Sequence, residues 1–264
     1  MKNKYMVPDL LPEIRRTKSL TGETQIIFDS GTAATLIRTE NFKRFTETNL
    51  EETPRLVLLS GVSESGKSTL GNFGVESGKA NRIKIYKVIA NLQEANKLPA
   101  IMLPPEKRVH GFTYDPLAVA TLIGENSEMQ SEAGRFVEEE ILKFHGQTDV
   151  LVDIVEAIKH PWIIQGLRSS NNLRTVSIFV EAPDELRVSR EAQKLQISKE
   201  EVVKRIAEKD LWKDSMGNRV VREQADMIID NKGSIEDYIE LVDSLLSLAN
   251  AYVTPHSGNT LELS

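Results

Sequence analysis

Eight consecutive residues, Gly61-Val-Ser-Glu-Ser-Gly-Lys-Ser68, have the types and spacing of a polyphosphate cradle. The pattern is G-x-x-x-x-G-K-[ST], and every fixed position is filled. Glycine at 61 and 66 lets the backbone curve around phosphate oxygens with its amides turned inward. Gly61, Ser63, Glu64, Ser65 and Gly66 therefore form the expected lining. The Lys67 ammonium should reach the β- and γ-phosphates, the Ser68 hydroxyl should ligate Mg²⁺, and Thr69 should meet the α-phosphate. A helix starting near Gly66 would add the partial positive charge of its N-terminus. The expected ligands are ATP or GTP, with Mg²⁺.

Other cations could serve the same anion. Arg187 and Arg190 stand three apart and share a helix face; the alternative is a solvated face paired with Glu185 or Glu191. Arg205 and Lys209 also share a face, but Glu200, Glu201 and Glu208 make theirs an ordinary charged helix. Arg82, Lys84 and Lys87 surround Tyr86, either as an anion patch or as a lysine-protected edge strand. His110, His145, His160 and His256 are scattered and lack metal-ligand spacing. Trp162 and Trp212 read as packing residues.

These groups need elements to hold them. Leu56-Val-Leu-Leu-Ser60 is an apolar run stopped by Gly61, as a buried parallel strand would be. Further strands are expected at 83–88, 162–165, 176–180 and 227–230. Ser131 is placed to cap a helix whose apolar face is Ala133, Phe136, Val137, Ile141 and Phe144. Ser198 to Glu201 and Ser234 to Asp237 have capping-box spacing, and the last helix should bury Ile235, Ile239, Val242 and Leu246. Strands alternating with helices imply an α/β fold, a doubly wound parallel sheet of five strands. Residues 1–54 read as an N-terminal extension of unknown role with one strand at 24–28, residues 55–250 as the main domain, and 251–264 as a flexible tail.

Segments beyond the loop resemble the P-loop nucleotide kinases, in particular the dephospho-CoA kinase-like and adenylate kinase-like enzymes. They are Trp162-Ile-Ile-Gln-Gly-Leu-Arg-Ser169, then Ile178 to Arg187 with Arg190, then Ala225 to Ser234. The resemblance implies strand order 2-3-1-4-5, a helical lid at 185–215, and transfer of the ATP γ-phosphoryl group to a small acceptor, a nucleotide or nucleoside-like metabolite. It implies that Arg168 grips the acceptor, that Arg187 and Arg190 neutralise charge in the transition state, and that the neighbourhood of Asn231 contacts the base, by backbone as much as by side chain. Gln165 stands where these enzymes commonly have aspartate, and a neutral amide cannot act as a base. Asp115, Asp153 or Glu156 could substitute. That departure keeps a second reading open, an ATP-binding regulator or switch with little transfer activity. Asp29-Ser-Gly-Thr32 is similar to the nucleophile loop of haloacid-dehalogenase-type phosphatases, but Gly31 replaces the second aspartate, and no chemistry is expected there.

Bulk properties bound the rest. The chain has 264 residues, 40% hydrophobic and 27% charged, enough apolar material for a full core without covalent staples. It contains no cysteine, which excludes disulfides, thiolate metal sites and a cysteine nucleophile. A net charge of −6 offers nucleic acid and anionic lipid no broad attraction. No apolar run approaches the roughly 20 residues that cross a bilayer, and the start lacks a signal-peptide pattern, so a cytoplasmic location is expected. The oligomeric state is left open.

Overall fold

The computed structural model describes residues 15–18, 24–27, 32–37, 41, 44–45, 53–99, 101, 115–146, 150 and 152–251. Strand β4 (Arg55–Gly61) is buried at every position and lies between β6 (Val152–Glu156) and β7 (Arg174–Glu181), parallel to both. Outside these, β5 (Asn81–Lys84) pairs with β6 and β8 (Met227–Asp230) with β7, again in parallel. Numbered from β4 in chain order, the five strands stand as 2-3-1-4-5, the expected arrangement. The expected strand in the N-terminal extension is β2 (Thr24–Ile27), and it is flanked by β1 (Arg15–Lys18) and β3 (Ala33–Leu36). These three form an antiparallel meander, and β3 pairs antiparallel with β8, so the sheet has eight strands in order β1-β2-β3-β8-β7-β4-β6-β5.

Side chains of β4 alternate between two cores, as the pleat requires. Val57 and Leu59 join Leu70 of α1 (Lys67–Glu76) and Tyr238, Leu241 and Leu246 of α9 (Ile235–Ala251) on one face. Leu56 and Leu58 join the apolar stripes of α2 (Ile85–Glu94), α4 (Ser127–His145) and α5 (Pro161–Ser169) on the other. Helix α3 (Pro116–Gly124) packs on α4 through Val119 and Ile123. Burial of each such leucine or isoleucine contributes about 1.5–3 kcal/mol, so covering both faces is what keeps the central strand apolar throughout. Helices α6 (Asp184–Leu195), α7 (Lys199–Ser215) and α8 (Asn218–Glu223) follow β7 on the loop side.

The structure corrects several local expectations. Residues 162–165 are not a strand; they lie in α5, where Pro161 occupies the first turn and Trp162, Ile163, Ile164 and Leu167 are buried. Three adjacent buried side chains would also fit a strand covered on both faces, as β4 is, but proline at that position is preorganised for a helix start. The third strand is Val152-Asp-Ile-Val-Glu156, disguised in the sequence by two carboxylates. Likewise the second strand stops at Lys84, and the run from Ile85 begins α2, burying Ile85, Val88 and Leu92 at helical spacing. Helix α4 is capped by Asn126, which accepts from the amides of Glu128 (3.0 Å) and Met129 (3.1 Å), rather than by Ser131. Ser198 and Ser234 do cap, accepting from Glu201 (3.2 Å) and Asp237 (3.2 Å). In α9 the buried stripe is Tyr238, Leu241, Val242, Leu246 and Ala249, while Ile235 is exposed.

Candidate functional site

The loop Gly61–Ser68 closes the C-terminal end of β4, where ligands bind in open α/β sheets. Gly61 has φ 140°, and a Cβ there would lie 2.0 Å from the Val180 carbonyl oxygen, so only glycine fits between the adjoining strands. Glu64 (φ 56°) and Gly66 (φ 105°) both turn the backbone left-handed, and α1 begins at Lys67. Lys67 Nζ donates to the Val62 carbonyl and to Ser65 Oγ (3.2 Å). Burial, and then the charge of Lys213, push the Lys67 ammonium well below its ordinary pKa, against the pull of Glu156, Glu64 and Asp210. Thr69 lies in the first turn of α1, half-buried.

Ser68 Oγ donates to Glu156 Oε1 at 3.0 Å. Glu156 is the last residue of β6, so a carboxylate does stand at the end of the third strand. The apparent defect at Gln165 came from placing that strand nine residues too late; Gln165 lies on α5, in a polar groove with Ser131 and Ser169. Glu156 is nearly buried and ion-paired with Arg82 Nη2 (2.6 Å) and with Lys84. Although burial pushes its carboxyl up, hydrogen bonds from Lys84 and Arg82 hold it below the ordinary value, so it is ionised. A hydroxyl and a carboxylate oxygen this close suit a hard cation that keeps most of its ligands as water and phosphate.

Helices α6 and α7 cover the loop. Arg187 is buried and donates through Nη1 to the Ser63 carbonyl (3.1 Å) and to Asp210 (2.6 Å), and through Nη2 to Asp184 (2.6 Å). Asp210 in turn accepts from the Ser63 amide at 2.9 Å, and Lys213 Nζ donates to the Gly61 carbonyl at 3.4 Å. Glu64 reaches Lys209 (3.4 Å) and Lys194 (3.6 Å), and Lys209 also meets the buried Glu191 at 3.0 Å. Arg190 lies farther along α6; Nη2 approaches the Asn231 carbonyl at 3.5 Å, and Nη1 is buried without a hydrogen-bond partner.

A third lysine joins Lys67 and Lys213. Lys159, three residues past β6, lies over the Trp212 ring at 4.2 Å and bridges the β6–α5 turn to α7. Burial first, and then the neighbouring Lys213, bring its pKa down to about 8. Lys213 is also lowered to about 8, mainly by burial, with Arg187 and Lys209 adding to the effect. Nothing in the sequence pattern set Lys159 apart; its place past the third strand becomes visible only once that strand is put at 152–156.

Arg168 is corrected. Arg168 does not follow a strand's C-terminal end but closes α5 at the opposite edge of the sheet. There its Nη2 donates to Asp226 (2.6 Å), Ser177 Oγ (2.7 Å) and the Gln224 carbonyl (2.7 Å). Asp226 is fully buried just before β8, so this is an internal ion pair remote from the loop. Asn231 turns its side chain to the loop, donating from Nδ2 to the Ser65 carbonyl at 2.8 Å, which leaves its backbone as the part of that neighbourhood free of this contact.

The remaining candidates divide. Arg205, Lys87 and Tyr86 are exposed, Arg82 and Lys84 hold Glu156, and Asp115 accepts from the Ala118 amide at the start of α3. His145 contacts Asp153 at 2.6 Å at the far edge of the sheet, and His160 stacks beside the buried Trp162. His110, His256, residues 29–31 and the tail after Ala251 lie outside the described residues. Among the described residues no helix is long and apolar enough to cross a membrane.

No protein-family model matches the chain, and no curated protein matches it either. Among solved structures it is similar to TT1252 from Thermus thermophilus, at 21% identity over 77% of this chain and 100% of that one, with a TM-score of 0.42. It is also similar to dephospho-CoA kinase from Campylobacter jejuni, at 16% identity over 75% and 98% of the two chains, with a TM-score of 0.37. Shikimate kinase from Acinetobacter baumannii, in complex with shikimate, matches at 17% identity over 76% and 96%, with a TM-score of 0.36. At TM-scores this low the likenesses add no weight; the fold stands on its own strand order and loop geometry.

Proposed function

We propose that the protein transfers the γ-phosphoryl group of ATP to a small acceptor, a nucleotide or nucleoside-like metabolite. The observation that carries this reading is the 3.0 Å contact between Ser68 and Glu156 beside Lys67, roofed by Arg187 and Lys213. Backbone amides of the loop and the N-terminus of α1 receive the phosphates, and Lys67 leaves its carbonyl contact to meet the β- and γ-oxygens. Ser68 and Glu156 would hold Mg²⁺, which when bound neutralises phosphate charge. Arg187 and Arg190 reach the transferring group from the lid side, where preorganised cations act in a water-poor site. Lys159 takes the acceptor-side role first expected of Arg168, because it is the cation just beyond the third strand. An acceptor oxygen then forms a bond to the γ-phosphorus as the bond to ADP breaks.

Glu156 at the end of the third strand supports transfer over a switch as far as that second reading leaned on Gln165; its other motive, the N-terminal extension of unknown role, stands beside it. The test is ADP formation by the purified protein with ATP, Mg²⁺ and a panel of nucleosides, nucleotides and dephospho-CoA. ADP produced stoichiometrically with one acceptor supports transfer. Tight ATP binding without acceptor-dependent turnover would overturn it in favour of a switch.

A further inference from the structure

Two side chains grip the phosphate loop from behind, away from the face that receives the ligand. Asn231 directly follows β8 and is buried, and its Nδ2 donates to the Ser65 carbonyl at 2.8 Å. Its own backbone amide is tied to the Glu181 carbonyl at 2.8 Å, which fixes where the side chain starts. Tyr238, in the first turn of α9, is fully buried, and its hydroxyl donates to the Gly66 carbonyl at 3.1 Å. Asn231 thus holds the Ser65 carbonyl, and Tyr238 holds the Gly66 carbonyl together with the Leu70 amide of α1 at 3.1 Å.

In a planar trans peptide the C=O and the following N–H point in opposite directions. A donor that holds the Ser65 carbonyl turns the Gly66 amide the other way, and one that holds the Gly66 carbonyl does the same for the Lys67 amide. Both amides are thus aimed at the concave side of the loop. The fit is close: a Cβ on Gly66 would come within 2.5 Å of Asn231 Nδ2 and 3.2 Å of the Tyr238 ring. The N-terminal extension supports the arrangement, because β3 pairs Ala33 with Asp230, and Thr32 Oγ1 accepts from the Gly233 amide at 3.1 Å.

We propose that Asn231 and Tyr238 are positioning residues that set the direction of the Gly66 and Lys67 amides, and so the affinity for the polyphosphate part of the ligand rather than for its base. This rests on the nucleotide reading of the loop. The test is calorimetry with Mg²⁺, using ATP, inorganic tripolyphosphate and adenosine as separate probes, on the wild type, Tyr238→Phe and Asn231→Asp. Loss of one neutral hydrogen bond should weaken ATP and tripolyphosphate by the same factor, about fivefold in Tyr238→Phe. Adenosine binding should not change. Asn231→Asp, which cannot donate to a carbonyl, should do at least as much; if it fails to fold, the tyrosine variant alone decides.

A loss confined to ATP, with tripolyphosphate unaffected, would place these side chains at the nucleoside end and overturn the proposal. Unchanged affinities in both variants would overturn it while leaving the nucleotide reading intact. A wild type that binds neither polyphosphate would instead remove the nucleotide reading itself, and this proposal with it.

Discussion

The two edges of the parallel sheet both carry buried charge, but in different settings. At the N-terminal edge Arg168 pairs with Asp226 and His145 with Asp153, which Asn81 also holds at 2.9 Å, while Arg55 and Arg174 lie buried in register at the start of β4 and β7. At the C-terminal edge, burial first and then Lys213 lower the basicity of Lys67 and Lys159, and Arg190 keeps a buried nitrogen without a partner. Buried ions are normally paired, because removing them from water is expensive. An edge that places buried lysines with depressed basicity, among ion pairs, beside a ring of amides is shaped for an anion that arrives from outside. Perturbed groups in a cleft mark function, whereas equally buried groups with complete partners mark architecture.

The comparison breaks most directly at Lys67. Lys67→Ala should lower turnover at least about a hundredfold, judged from what one preorganised donor contributes. Steady-state ADP release measures it, and wild-type rates in that variant would remove the C-terminal edge as the reactive one. Arg168→Met tests the other edge. Leaving Asp226 buried without its cation should lower unfolding free energy by about 3 kcal/mol, read from denaturant melts. Turnover per folded molecule should stay the same; a drop in turnover without a drop in stability would return Arg168 to the site. Glu156→Gln comes next. It should raise the Mg²⁺ concentration needed for half-maximal activity by about 10–100-fold, the range for groups that orient a metal's ligands. An unchanged Mg²⁺ titration would leave Ser68 as a ligand without that partner.

The same contrast explains what was legible in the sequence. The loop is a local object: Gly61 to Ser68 is a run of eight residues, and the chemistry of each position is carried by its own type. The apolar runs placed β4, β7 and β8 directly, and the order 2-3-1-4-5 that the resemblance implies is the order of the five parallel strands. The third strand was not placed this way, because Asp153 and Glu156 interrupt its apolar pattern, and their partners come from 72 to 88 residues away or from the preceding helix. The neighbouring Trp162-Ile-Ile run looked more strand-like and drew the assignment, carrying Arg168 to the wrong edge with it. Lys159 and Lys213 were illegible for a different reason. Their character is a property of burial and mutual repulsion across elements, which no spacing records.

The smallest effect expected is also the sharpest test of like-charge crowding. Burial takes Lys213 down to about 8, as it does Lys159, against an ordinary lysine value near 10.4. A lysine whose folded pKa lies below its unfolded one sheds its proton first in the native state. Between pH 8 and 10 the unfolded chain then binds more protons, and stability rises with pH. The ligand-free protein should therefore melt higher at pH 9.5 than at pH 7.5. Lys213→Met, which keeps most of the stem and removes the charge, should raise the melting temperature at pH 7.5 by about 2–4 °C, the shift expected for 1 kcal/mol in a domain of this size. It should also flatten the rise towards pH 9.5. Tripolyphosphate with Mg²⁺ should flatten it in the wild type too, because an anion among the lysines restores their protonated form. Thermal melts across that interval, with and without the polyanion, measure all three. A slope that survives both the substitution and the ligand would mean that Lys213 is not the group that sets it.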